Sequence, residues 1–373
     1  MNFKKISVFV ITLFFLLPFY QSCIEPVDGE FDLQAGLIFI DGFALTEMGL
    51  STVTITESVF EFQTYKVINV PSAIVKIENI NSGETVDFAE DASGIYTCPP
   101  DFAAEPGEVW KLLVEFENGK KVESKPQTVV EAVPIAAVNV EYAPDIEFNA
   151  DFGEFVPGHR VSIDWQDPAG EENFYLWKYR TFEPLFVCRT CENRSVLRNG
   201  ECQPTGQSFG PQYYNYLCNP QCWQIKFGNE LPIFEDRLED GVNIQDREIT
   251  ILPFYRRPDI LIEIQQFSLD KDAFEYFKVI SDQVSESGGL NAPPPAALLG
   301  NLFNPDDSSD LILGQFTTAG VSTKSLYIDR ALISESPIRP DDPIIIEPCA
   351  TCPTQYPCME SAFRTAVKPD GWP

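Results

Sequence analysis

A chain of 373 residues with 26 basic side chains against 56 acidic ones carries a formal charge of −30. That excess of acid excludes nucleic-acid binding through phosphate neutralisation, which needs clustered Lys and Arg, and excludes electrostatic adhesion to anionic lipid. At 44% hydrophobic and 13% aromatic residues, the composition also excludes a disordered chain and allows a real core.

The first 22 residues read as an export signal. Lys4 and Lys5 precede an apolar run from Ile6 to Tyr20, too short to span a bilayer, which takes about 20 apolar residues. Tyr20-Gln21-Ser22-Cys23 resembles the lipobox of bacterial lipoproteins, although Tyr20 stands where an aliphatic residue is usual. The resemblance implies that Cys23 is lipidated and begins the mature chain; the alternative is an ordinary secretory signal with a cysteine after it. Residues 23–32, Ile24-Glu25-Pro26-Val27-Asp28-Gly29-Glu30-Phe31-Asp32 after the cysteine, form an acidic tether. It is similar to the acidic address by which some bacteria send lipoproteins to the cell exterior.

About 350 mature residues suggest two domains or one large one. Residues 33–130 read as an N-terminal β-sandwich of the fibronectin or transthyretin type, with strands over 37–40, 51–56, 73–77, 95–98 and 109–116. Asn118-Gly119 supplies the tight turn of a hairpin joining 111–117 to 121–124. A larger β-domain over 131–348 follows, also read as a sandwich, with strands at 136–142, 160–165, 173–179, 223–227, 248–253 and 260–266. One amphipathic helix is predicted over 270–286, capped by Ser268 or Asp270 and ended by Gly288-Gly289. Leu311–Phe316 and Ser322–Arg330 read as two closing strands. The fold class is therefore mainly β, two sandwiches with one helix and a disulfide-rich insertion.

That insertion, residues 186–222, holds Cys188, Cys191, Cys202, Cys218 and Cys222, and the tail over 349–373 holds Cys349, Cys352 and Cys358. In an exported chain these eight are disulfide candidates. The spacing leaves the connectivity open, and one arrangement staples the tail onto the insertion. The two Cys-x-x-Cys pairs leave a zinc site as the alternative. Cys98 is expected to be a buried free thiol, and Trp372 to dock on the body. Tyr213, Tyr214, Tyr216 and Trp223 are a candidate contact surface, since Tyr and Trp favour interfaces; packing inside the insertion is the competing assignment.

Several stretches together resemble a lipoprotein family of Bacteroidetes-type bacteria, the domain of unknown function numbered 4249. They are Asp167-Pro168-Ala169-Gly170-Glu171-Glu172-Asn173-Phe174-Tyr175, Asp236-Arg237-Leu238-Glu239-Asp240-Gly241, Tyr276-Phe277 in the helix, 294–301, the closing cysteine pair and Lys368-Pro369-Asp370-Gly371-Trp372. Leu313-Gly314-Gln315-Phe316 matches that pattern only in part. The resemblance implies an outer-membrane lipoprotein, often encoded beside a TonB-dependent transporter, with no established activity and no catalytic residues to carry over.

The residues themselves support no enzyme assignment. His159 is the only histidine and is expected in an exposed loop. There is no Gly-x-Ser-x-Gly elbow, phosphate-cradling glycine loop or His-Glu-x-x-His. With 56 acids some carboxylate pair is inevitable, so none singles out a glycosidase. The acids are scattered without a calcium-loop pattern and are read as solubility and mutual repulsion, with cation capture as the alternative. No metal or cofactor is expected. The expected role is a non-catalytic accessory or ligand-binding component of a TonB-dependent transport system, lipid-anchored at the outer membrane; a glycan-active or other hydrolase, or a structural or adhesive surface protein, are the alternatives.

Overall fold

The computed structural model describes residues 35–62, 64–91, 93–150, 152–191, 195–199, 201–204, 222–286, 298–338, 345–349 and 358–373. The signal, Cys23, the acidic tether, Tyr213, Tyr214, Tyr216, Cys218, Cys352 and the Gly288-Gly289 stop lie outside them.

The first half contains β1 (Ile38–Leu45), β2 (Thr52–Glu61), β3 (Thr64–Asn69), β4 (Ile74–Asn79), β5 (Thr85–Glu90), β6 (Ile95–Thr97), β7 (Val109–Glu115), β8 (Lys121–Ser124) and β9 (Gln127–Thr128). Then come β10 (Ile135–Asn149), β11 (Glu154–Gln166), β12 (Phe174–Pro184), β13 (Val187–Cys191), β14 (Ser195–Arg198), β15 (Glu201–Pro204), β16 (Trp223–Phe227), β17 (Ile233–Glu235), β18 (Asn243–Pro253) and β19 (Ile260–Leu269). Helix α1 (Lys271–Glu286) precedes β20 (Leu302–Phe303), β21 (Ile312–Ile328), β22 (Ile345–Cys349) and β23 (Arg364–Thr365).

The fold is mainly β with one helix, and among the described residues the strands form one large mixed sheet of 16 strands with three small sheets. The joining element is β21. The sequence predicts two closing strands there, and the structure has a single strand of 17 residues. Its first half pairs parallel with β1, Ile38 opposite Ile312 through Leu45 opposite Ala319. Its second half pairs antiparallel with β19, Gly320 opposite Ser268 through Ile328 opposite Ile260. Gly320 lies at the changeover and is required there, because a Cβ would overlap the backbone nitrogen of Ala132.

Alternation along the strands decides the layers. In β12, Tyr175 and Trp177 pack with Val161, Ile163 and Trp165 of the three-stranded sheet β10-β11-β18. Phe174 and Leu176 point the other way and pack with Phe274 and Phe277 of α1. The sheet is thus covered on one face by strands and on the other by the helix. Each such side chain taken fully out of water contributes ~1.5–3 kcal/mol. The helix starts where the sequence places it: Asp270 Oδ1 accepts the Ala273 N–H at 2.8 Å, an N-cap. The Asn118-Gly119 turn is also present, with Gly119 at φ +84° and Lys121 opposite Glu115.

Among the described residues, two disulfides staple the C-terminal region and the insertion. Cys191 is joined to Cys202, and Cys222 to Cys358 across 136 residues. The tail is further held by pairing of β23 with β16 and of β22 with β13. Trp372 packs on Trp223 and Tyr327, and Cys98 is a buried free thiol.

Candidate functional site

The face of the sheet under α1 carries two charges where its neighbours are apolar. Phe43 of β1 belongs to the cluster beneath the helix, and Asp41, two residues earlier, shares its side of the strand. In β12 the same period places Lys178 on the side of Leu176. The Lys178 Nζ lies 3.9 Å from the centre of the Phe43 ring and 5.4 Å from that of Phe267, within cation–π range.

Among the described residues no hydrogen bond to either charged group is seen, and the charge of each acts on the other. Burial pushes the Asp41 carboxyl up and the Lys178 ammonium down, and the opposite charge works against both shifts. Both side chains nevertheless keep partial solvent exposure.

Two further polar groups border the same region. The Tyr276 hydroxyl of α1 is buried without a hydrogen-bond partner, and burial and the Asp41 charge both raise its pKa. The Thr317 hydroxyl, on the β21 residue opposite Phe43, is buried and unpartnered too. Tyr276 also walls a cleft of about 320 Å³ with Lys125, Gln127, Asp272, Asn301 and Gln315. One wall is fixed by Asn301, whose side-chain amide exchanges two hydrogen bonds with the backbone of Phe316 at 2.8 and 2.9 Å, while its N–H donates to Gln315 Oε1.

A second cluster is carboxylate only. Asp167, Asp236 and Asp240 bring oxygens within 4.8 Å of one another. Asp167 accepts from the Tyr175 hydroxyl at 2.6 Å and the Gly241 N–H at 3.0 Å, and Asp240 accepts from the Gly170 N–H at 2.8 Å. Burial, and then the charge of Asp167, raises the Asp236 carboxyl. An all-oxygen set of this kind suits a hard cation, but two of the three carboxylates already serve as locks between the loop after β11 and the turn before β18.

On the surface, the β2–β3 hairpin exposes apolar side chains on both faces. Phe62, at φ +49° in the turn, is 92% exposed, and Val67, Ile68 and nearby Ile74 are exposed with it. The end of the β10–β11 hairpin exposes Phe148, Phe152 and Phe155.

The residues singled out in the sequence fare differently. Trp223, a candidate contact residue, is buried against Phe182, Ile225 and Leu261 under Trp372, so it belongs to a core. His159 is not in an exposed loop: it lies in β11, is 3% exposed and packs between Tyr142 and Phe254. Burial and the neighbouring Arg330 lower its pKa to about 4. Cys191 is committed to its disulfide and is no zinc thiolate. Backbone pairing sets Cys191 opposite Cys349 and Cys188 opposite Ile346. Asp41, Lys178 and Tyr276 were not legible as a group. The one available signal was a charge at an inward position of two apolar strands.

A family model described as a domain of unknown function, DUF4249, matches residues 24–325. No curated protein matches the chain.

Proposed function

We propose a role for this chain from one premise: it belongs to the DUF4249 family. The role is that of a non-catalytic accessory, a Bacteroidetes-type lipoprotein anchored in the outer membrane through an acylated Cys23, which docks on a TonB-dependent β-barrel transporter. Within it the two halves act as sandwich lobes that share β21.

The observation that supports docking is the β2–β3 hairpin. Phe62, Val67 and Ile68 each expose a large apolar side chain on a chain whose net charge is −30. Large apolar side chains exposed on so acidic a surface suit contact with another protein. Among the described residues β3 pairs only with β2, which leaves its outer edge for backbone pairing with a partner. Anionic lipid does not compete for that surface, since the acidic chain is repelled by it.

The test is gentle detergent extraction of the tagged, lipidated protein from its native membrane, followed by mass spectrometry. Stoichiometric recovery of a β-barrel transporter supports the accessory role. Recovery of the protein alone rejects a stable transporter complex.

A further inference from the structure

We infer that the cleft between α1, β9 and β21 binds a short peptide of two or three residues, held by its amide groups at the floor and by its charged termini at the rim.

The first argument is the cavity. It measures about 320 Å³, at the small end of the range for ligand sites. Asp272, Glu275, Tyr276 and Val279 line it from positions i, i+3, i+4 and i+7 of α1, which form one face of a helix. The other walls come from Lys125 and Gln127 at β9, residues 298–301, and Gln315 of β21.

The second argument is three polar groups in that lining which lack partners. Gln315 is 2% exposed and its Oε1 accepts the Asn301 N–H, so its amide nitrogen keeps two donors with no acceptor among the described residues. Gln127 is 6% exposed; its Nε2 donates to the Pro126 carbonyl, while its Oε1 receives nothing. The Tyr276 hydroxyl, on a residue 8% exposed, has no partner either. All three residues are more than nine-tenths buried, and they come from three separate elements. A closed core leaves few such groups. An amide donor beside an amide acceptor complements a peptide group, which carries one C=O and one N–H, and the hydroxyl can serve either.

The third argument is the rim. Lys125, Asp272 and Glu275 are exposed, and among the described residues no salt bridge ties any of them. One ammonium and two carboxylates on separate elements suit the carboxylate and the ammonium that end a short peptide. Val279, Leu298 and Leu299 in the lining suit an aliphatic side chain. Burial of Tyr276 leaves no open ring face on which a sugar could stack.

The test uses purified full-length protein in detergent and follows its melting temperature. The probes are Ala-Leu and Ala-Leu-Ala, against N-acetyl-Ala-Leu-amide and lactose at the same concentrations. A ligand that binds only the folded state raises Tm by mass action, so at least one free peptide is expected to raise it by about 2 °C or more. The blocked peptide should give a smaller rise and lactose none. Tyr276→Phe removes only an unpartnered hydroxyl, and Lys125→Met only an exposed charge, so both variants should keep their fold, which circular dichroism checks. Each should cut the rise by about half or more. A flat response to both free peptides, an equal response to the blocked peptide or to lactose, or a rise unchanged in both variants overturns the assignment. None of these outcomes depends on a partner transporter.

Discussion

The Tyr175 hydroxyl donates to Asp167 Oδ1 at 2.6 Å, and the other oxygen of that carboxylate accepts the Gly241 N–H. This contact joins the two stretches, Asp167 to Tyr175 and Asp236 to Gly241, that are far apart in sequence and carry much of the family pattern. Both partners are essentially excluded from solvent. Tyr175→Phe leaves a buried carboxylate one hydrogen bond short, at a cost of about 1–3 kcal/mol. A urea midpoint unchanged within error would show that the contact is not a structural lock.

His159 makes stability depend on pH in a defined window. Its folded-state pKa is lowered from 6.5 to about 4, so the unfolded chain binds the proton more readily. The neutral ring's contribution is intact above pH 6.5 and is lost as pH falls from 6.5 to about 4, by ~3 kcal/mol in all. His159→Gln should remove that component. Subtracting the variant's unfolding curve from the wild type's, pH by pH, isolates it from the carboxylates; a difference flat between pH 6.5 and 4 contradicts the assignment.

The two disulfides should differ in weight. Cys222–Cys358 closes a loop of 136 residues and Cys191–Cys202 one of 11. Loop-closure entropy assigns about 5 kcal/mol to the first and about 3 kcal/mol to the second. Paired Cys→Ala variants compared by thermal unfolding check the order, and the Cys222/Cys358 variant should also release β23 from β16, seen as faster amide exchange in residues 364–365.

Gly314 lies in β21 directly opposite Ile40 at φ +103°, and a Cβ there would overlap the Ile40 carbonyl oxygen. Gly314→Ala therefore opposes both the backbone conformation and the parallel pairing. A loss above ~2 kcal/mol is expected. Alanine tolerated without loss would show that the β1–β21 contact is not as close as described.

These cases mark what was legible in the sequence. The Asn118-Gly119 hairpin and α1 were readable because a turn residue, an N-cap and a 3.6-residue period are local signals. The Cys222–Cys358 staple was foreseen as an arrangement, though not as a pairing. Strand β21 was not, because Gly314 and the run Thr317-Thr318-Ala319-Gly320 interrupt its apolar pattern. Those residues are buried by parallel pairing with a strand some 270 positions earlier, which no window sees. The β2–β3 hairpin was read only as a strand over 51–56, and the structure extends that strand to Glu61 and pairs it with β3. Asp41 and Lys178 lie 137 positions apart, and nothing local in the sequence pairs them.

The most direct test of the accessory role is a photo-crosslink from the hairpin itself. A benzophenone amino acid placed at Phe62, 92% exposed, in the native membrane should yield one adduct of fixed mass with an outer-membrane β-barrel. The same probe at Leu332, 88% exposed but outside the patch, should not. A barrel adduct from position 62 alone is the result this account predicts. No protein adduct from position 62, or equal adducts from both positions, would contradict docking through the hairpin.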